Sequence, residues 1–284
     1  MSDPAPPSPP SPPAGPGRFG RASAVTALGD GRFAAEVAAG WDIAGNADGG
    51  YLMAIAARAV TAATGTPDPV TVTAHFLAPG RPGPVTVTVD LVRRGRRHAT
   101  AGFRLTSGPA GDPVVHLVGV CTTTDLAGAT GPVRVDADPP DLPPVDDCVP
   151  AEPGDPFPPP FMAQVDVRLH PDDVPFRAGG RSGSPRVRGW FRLHDDEPVD
   201  GLGLVLAVDA FPPTSFNADL PVAWTPTVEL TAHVRARPAP GWLACAFVTR
   251  NIAGGYLETD GEVWDARAVL VAQSRQLQLL PPSG

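Results

Sequence analysis

Asp209 interrupts a stretch that is otherwise apolar or glycine, residues 202–211. Leu202, Val205 and Leu206 precede it at helical spacing, which places Asp209 on the buried face of a predicted helix. A buried carboxylate is costly unless it is hydrogen-bonded. Asp209 is therefore either a helix-end carboxylate that accepts backbone or water hydrogen bonds, or a group that orients or deprotonates a water molecule.

Gln273 is a second polar residue in an apolar setting. In the predicted strand 263–277 it follows Val269 and Val271 on the same face. A buried primary amide needs partners for two donors and an acceptor. The alternative is that the strand emerges into solvent at this point, because Arg275 comes next on that face.

Thr227 opens another long strand and, taken alone, is an ordinary strand threonine. Common catalytic signatures are absent from the sequence: it has no G-x-S-x-G, H-E-x-x-H or P-loop motif. All 22 basic residues are arginine, which excludes a Schiff-base or P-loop lysine. The six histidines show no metal-ligand spacing. For the function inferred below, we expect neither a metal nor an organic cofactor.

The composition favours a folded protein that does not bind nucleic acid. Of the 284 residues, 42% are apolar and 18% are charged, and the net charge of −8 argues against a general nucleic-acid binder. The sequence has no run of about 18 apolar residues and no signal-peptide pattern. Three widely spaced cysteines disfavour a disulfide framework. We therefore expect a cytoplasmic protein without a membrane span.

Two proline-rich segments divide the chain. Residues 1–18 are expected to be a disordered tail, and residues 126–161 a linker rich in proline and aspartate. The remaining segments, 19–125 and 162–281, are two parts of similar length.

The two parts resemble each other. Thr-Ala-His occurs at 73–75 and again at 231–233, an offset of 158. Each part shows a strand pair, one apolar helix (48–60 in the first, 200–211 in the second) and four long strands. This pattern predicts an α+β fold of two tandem hotdog repeats, a double hotdog, in which each long antiparallel sheet wraps around one helix. The step from pattern to fold is partly an analogy.

The second part resembles the C-terminal half of the bacterial type II acyl-CoA thioesterases. The matching segments are LAVDAF, PTVEL and LVAQSRQ, and in the first part GNADGGYLMAIAARA and HFLAPGRPG. The resemblance implies that Asp209, Thr227 and Gln273 hold the water that attacks an acyl thioester. Asp209 would be the general base, and the other two would orient the water.

Attack of water on a thioester carbonyl produces a tetrahedral oxyanion, which needs hydrogen-bond donors. Gly49 and Gly50 open the first helix, where backbone N–H groups at the positive dipole end would stabilise the oxyanion. Close packing of the helix against the sheet explains the same glycines equally well. In the repeat alignment, the first-part counterparts of Asp209, Thr227 and Gln273 are non-polar. They are Ala56, Pro69 and Val120, in that order. This one-sided polarity favours one site per chain.

An arginine cluster stands out in this acidic chain at a predicted hairpin turn: Arg93, Arg94, Arg96 and Arg97. It is either a solvated turn or a contact to the phosphates of coenzyme A. We expect an acyl-CoA substrate and a homodimer or higher homo-oligomer. Two other functions stay open, an enoyl-CoA hydratase of hotdog fold and a non-catalytic protein that binds acyl-CoA or acyl carrier protein.

Overall fold

The computed structural model describes residues 15–154, 157–218, 220 and 224–280. The expected tail, 1–18, lies largely outside the described residues.

Most of the chain forms one antiparallel sheet and two buried helices. The elements of the first part are α1 Arg18–Ala22, β1 Val25–Gly29, β2 Arg32–Val37, β3 Asp42–Ile43, β4 Asn46–Ala47, α2 Gly49–Thr64, β5 Asp68–Phe76, β6 Gly83–Arg94, β7 Ala99–Ser107 and β8 Val114–Thr124. Those of the second part are β9 Val149–Pro150, β10 Val165–Leu169, β11 Arg186–Leu193, α3 Gly201–Ala207, β12 Thr227–Val234, β13 Leu243–Val248, β14 Ile252–Ala253, β15 Tyr256–Trp264 and β16 Leu270–Leu279.

The sheet has 14 strands in an order that shows the duplication. It runs β1-β2-β6-β7-β8-β5 through the first part and β12-β16-β15-β13-β11-β10-β9 through the second, with β14 paired to β15. Read outward from the centre, the two halves repeat one arrangement. The expected double hotdog, with its strand pair, helix and four strands in each half, is confirmed.

The two halves join at the repeated Thr-Ala-His segments. Strands β5 and β12 pair antiparallel, and Thr73 lies directly opposite Thr231. The two hydroxyls are 2.9 Å apart. The offset of 158 that relates the two parts in sequence therefore also marks where they meet in space.

Helix α2 forms the core of the first half. Alanine and other good helix formers fill it, Asp48 caps its first turn through a 2.8 Å hydrogen bond from the Tyr51 N–H, and Gly65 ends it with a φ of 70°. The helix runs four residues beyond the predicted end at Val60. Its interior residues, such as Met53 and Ile55, are fully buried.

Helix α3 is shorter than predicted. Asp200 caps its start, and the helix ends at Ala207 rather than continuing through Phe211. Asp209 therefore lies in the turn after the helix, where its N–H donates to the Leu206 carbonyl at 3.1 Å.

The expected linker packs against the second half in its later portion. Strand β9 pairs with β10 and extends the sheet edge. Cys148 is buried, and the Trp190 indole N–H donates to the Pro143 carbonyl at 2.9 Å. The later portion of 126–161 therefore contributes a short edge strand, since proline disfavours central strands but is tolerated at a sheet edge. The linker between two domains stays a prediction.

No helix in the described residues is long and apolar enough to cross a membrane.

Candidate active site

The two helices meet end to end at Gly50. A Cβ on Gly50 would lie 3.0 Å from the backbone oxygens of Val205 and Leu206 and 2.8 Å from the Asp209 Cβ. The N-terminus of α2 thus touches the C-terminal end of α3. Only a residue without a side chain permits this approach, so close packing is one role of Gly50, against a helix rather than against the sheet.

The Asp209 carboxylate lies at this junction. Its Oδ2 accepts a hydrogen bond from the Gly50 N–H at 2.8 Å, and its Oδ1 accepts one from the Gln276 amide at 2.8 Å. The positive end of the α2 dipole also favours the anion. The carboxylate is therefore fixed by one group from each half of the molecule.

Gln276 connects Asp209 to Thr227. The same Gln276 Nε2 that donates to Asp209 also donates to the Thr227 Oγ1, at 2.6 Å. Both of its amide hydrogens are thereby used, and the Thr227 hydroxyl keeps its own hydrogen to donate elsewhere. Asp209, Thr227 and Gln276 form one connected polar group, which we call the Asp–Thr–Gln group.

The structure does not place Gln273 in this group. Gln273 lies on the opposite face of β16, where its Oε1 accepts from the Arg235 guanidinium at 3.3 Å on the exposed side of the sheet. The prediction counted alternation from Val271, but the pairing steps from Val263–Ala272 to Trp264–Leu270 and leaves Val271 as an extra residue. Such a bulge moves every later side chain of the strand to the opposite face of the sheet from the one predicted.

The residue pattern of β16 alone is enough to identify Gln276 from the sequence. Arg275 occupies the exposed face of β16, and Gln273 has the same parity as Arg275. The opposite parity carries Ser274, Gln276 and Gln278, which are all buried. Counting from the charged residue rather than from the valines selects the correct face.

A second carboxylate lies beside Asp209. Asp48 is 2% exposed, and its pKa is raised well above the ordinary value by burial and by the nearby Asp209 charge. Burial likewise raises the pKa of Asp209 to about 6, although the hydrogen bonds from Gly50 and Gln276 lower it. A carboxylate with a pKa near neutrality is suited to general-base chemistry. The sequence analysis did not select Asp48.

The Asp–Thr–Gln group opens into a cavity of about 860 Å³ between the two halves. This size suits a small-molecule ligand. The first half contributes the start of α2 and the end of β5 to the walls, and the second half contributes most of the aromatic side chains. The apolar lining includes Leu52, Phe76, Met162, Phe211, Phe216 and Phe247.

The expected oxyanion donors are only partly available. The Gly50 N–H is engaged by the Asp209 carboxylate, so the expectation that it is a bare donor was wrong. Gly49 lines the cavity at the first position of α2, where an N–H has no acceptor within the helix.

The structure does not bring the arginine cluster to the cavity. Arg94 donates to the carbonyls of Thr64 and Ala63, at 2.6 and 3.2 Å, and so caps the C-terminus of α2. The cavity borders the other end of that 16-residue helix, which at 1.5 Å per residue is roughly 24 Å long. All four arginines are exposed: Arg93 and Arg94 end β6, and Arg96 and Arg97 lie in the turn that follows.

The first half carries non-polar residues where the second half carries the Asp–Thr–Gln group. The repeat offset of 158 makes Val72 the counterpart of Leu230. Val72 pairs with Cys121 across β5 and β8, and Leu230 pairs with Gln276 across β12 and β16. Cys121 is therefore the counterpart of Gln276. Cys121 is buried, and burial raises the pKa of its thiol to about 12. Pro69 is the counterpart of Thr227 by the same offset.

The sequence is similar to known protein families and curated proteins along most of its length. Residues 37–124 match the acyl-CoA thioesterase N-terminal domain, and residues 139–280 match the acyl-CoA thioesterase C-terminal domain. An uncharacterized protein of Mycobacterium tuberculosis is 30% identical over 273 residues, which cover 88% of this chain and 91% of that protein.

Solved structures show the same fold. A thioesterase II candidate from Thermobifida fusca is 33% identical with a TM-score of 0.82, covering 93% of this chain and 97% of that one. An acyl-CoA thioesterase II from Mycobacterium marinum shares the fold at 19% identity and a TM-score of 0.66, covering 93% and 99%. With both domain models matched in order, the chain belongs to the acyl-CoA thioesterase family and is a thioester hydrolase.

Proposed function

We propose that this protein hydrolyses an acyl-CoA to a free carboxylic acid and CoA, with Asp209, Thr227 and Gln276 as the residues that hold and activate water. The observation that carries this proposal is the Gln276 amide, which donates to both Asp209 and Thr227 at the wall of an apolar cavity. A general base and a hydroxyl donor are thereby kept in a fixed relation.

Asp209 would take the proton of the attacking water. Each Asp209 oxygen accepts one hydrogen bond from the protein and retains a lone pair for a water molecule. The Thr227 hydroxyl, which accepts from Gln276, would donate to the oxygen of that water and orient it. A thioester carbonyl is already electrophilic, so a positioned and deprotonated water suffices for attack.

The tetrahedral oxyanion would form near the start of α2. The Gly49 N–H is the donor we propose for it, assisted by the positive dipole end of the helix. When the intermediate collapses, the carbon–sulfur bond breaks and CoA leaves as the thiolate, and the proton held by Asp209 is available to return to sulfur.

A thiol-release screen over acyl-CoAs of different chain lengths tests the proposal. We expect turnover with at least one saturated acyl-CoA, and we expect Asp209→Asn to lower kcat about 10²- to 10⁴-fold. The asparagine amide cannot act as a base, and it must also present its NH₂ to the Gly50 N–H or to the Gln276 amide. Thr122→Ala is the matched control, because the Thr122 hydroxyl contacts that of Thr100 and Thr122 does not line the cavity.

Two other outcomes would overturn the proposal. Loss of crotonyl-CoA absorbance without free thiol would indicate a hydratase. Saturable acyl-CoA binding with no turnover on any substrate would indicate a binding protein. The homodimer or higher oligomer stays a prediction, which the mass from light scattering checks.

A further inference from the structure

A second polar group lies on the cavity wall beside the Asp–Thr–Gln group. Three threonine hydroxyls contact one another: Thr214 lies 2.6 Å from Thr249 and 3.4 Å from Thr259, and Thr249 lies 3.1 Å from Thr259. Thr259 also donates to the Gln278 Oε1 at 3.3 Å. We call these four residues the threonine cluster.

The threonine cluster is buried but faces the cavity. Thr214, Thr259 and Gln278 all line it, with exposures of 1%, 6% and 6%. The surrounding wall is aromatic, with the Phe211 and Phe247 rings 5.0 Å apart. A plain acyl chain has no group that could form a hydrogen bond with this polar patch.

The count of protons shows what kind of group the threonine cluster would accept. Three hydroxyl hydrogens serve four contacts, so every hydrogen already has an acceptor within the cluster, and lone pairs remain. The Gln278 amide hydrogens point to Thr225, at 3.3 and 3.4 Å. An incoming group must therefore supply its own hydrogen, as a hydroxyl does and a ketone does not.

The threonine cluster lies directly beside the Asp–Thr–Gln group on the cavity wall. Thr259 pairs with Gln276 across β15 and β16, and Gln278 pairs with Thr227 across β16 and β12. A hydroxyl on the acyl chain of a thioester bound at the Asp–Thr–Gln group would therefore meet the threonine cluster on the same stretch of wall.

We propose that the preferred substrates are hydroxyacyl thioesters, with the hydroxyl on the acyl chain away from the thioester carbon and bonded to Thr259, Thr214 and Gln278. The proposal rests on the proposed thioesterase function and names its substrate class. Thr259 and its partners would act as specificity residues that do not touch the reacting carbon.

The test compares octanoyl-CoA with hydroxyoctanoyl-CoAs that carry the hydroxyl on carbon 3, 5, 6, 7 or 8, and with 6-oxo-octanoyl-CoA. We expect kcat/KM to depend on the position of the hydroxyl and to peak at one of these positions, about threefold to tenfold above octanoyl-CoA, as one or two hydrogen bonds would give. The ketone should show no such gain. Thr259→Val and, independently, Thr214→Val should bring the ratio of hydroxyacyl to plain acyl rates close to one.

Thr123→Val is the matched control, since Thr123 is fully buried in a similar hydroxyl cluster with Thr64 in the first half, away from the cavity. Its substrate ratio should equal that of the wild type. A flat profile across positions, or a ratio that both valine variants leave unchanged, would overturn the inference while octanoyl-CoA hydrolysis preserves the proposed function. A Thr259→Val effect that is equal for all acyl-CoAs would indicate contact with the pantetheine arm instead, which also overturns it. Absence of hydrolysis with every thioester would overturn the proposed function and this inference with it.

Discussion

Asp209 owes its chemistry to the groups that hold it. Burial raises the pKa of its carboxyl to about 6, and the hydrogen bonds from Gly50 and Gln276 work in the opposite direction by favouring the anion. The same two hydrogen bonds orient the carboxylate at the cavity wall. A single side chain thus combines a pKa near neutrality with a fixed orientation at the cavity wall.

The pH dependence of hydrolysis follows from that pKa. The base must be ionised, so kcat/KM should fall as the pH is lowered through about 6 and should level off above it. Removing the Gln276 amide removes a group that stabilises the anion, so Gln276→Ala should move the inflection to higher pH. The pH profile of kcat/KM, measured with one acyl-CoA for both proteins, checks this. An inflection that is the same in both would contradict the role of Gln276 in setting the pKa.

At the scale of elements, the site depends on how closely α2 approaches α3. The Gly50 backbone lies against the carbonyls that end α3, so an added methyl group meets backbone atoms that cannot rotate away. Asp209, the general base that we propose, follows that same helix end directly. Any shift of α3 therefore moves Asp209 with respect to Gln276.

Gly50→Ala should lower both stability and activity. Overpacking of this kind costs about 1–3 kcal/mol of unfolding free energy, and the displaced Asp209 should reduce kcat more than KM. Denaturant unfolding and thiol release measure the two effects. Gly128→Ala is the control, because nothing lies within 4 Å of the added Cβ. Equal stability and activity of Gly50→Ala and wild type would contradict the close approach.

The elements that sequence patterns predicted are those with strong periodicity. Alternation and helix composition predicted the long strands and α2, and the repeated Thr-Ala-His predicted the duplication that the strand order shows. Gln273 was selected instead of Gln276 because the count of alternation began at Val271, where a bulge reverses strand parity. The bulge depends on the pairing partner and is not visible in the local sequence, whereas a count from the exposed Arg275 gives the correct face. The hydrogen bond between Gly50 and Asp209 was not predicted, because it joins residues 159 positions apart and leaves no local pattern in the sequence.

At the scale of the whole molecule, neither half contains a complete site. Gly50 comes from the first half, and Asp209, Thr227 and Gln276 come from the second. Besides the β5–β12 pairing, Arg237 donates to both oxygens of the buried Asp68 across the halves, at 2.9 and 2.8 Å. A bidentate pair of this kind fixes geometry as well as adding energy.

Cutting the chain between the halves should therefore leave an active complex. A specific protease site in the exposed segment 129–135 should yield two fragments that elute together and retain thioesterase activity. Separation of the halves would expose the β5 and β12 edges. Size-exclusion chromatography after cleavage checks the association. Fragments that separate while the second alone keeps full activity would contradict a site shared between halves.

The most direct test of the account compares two glutamines on one strand. Gln276 bonds to Asp209 and Thr227, whereas Gln273, three residues earlier, faces the opposite side of the sheet. We predict that Gln276→Ala lowers kcat for acyl-CoA hydrolysis at least about 10²-fold, while Gln273→Ala stays within about twofold of the wild type. Equal rates for the two variants, or a larger loss in Gln273→Ala, would contradict the assignment of the Asp–Thr–Gln group as the catalytic centre.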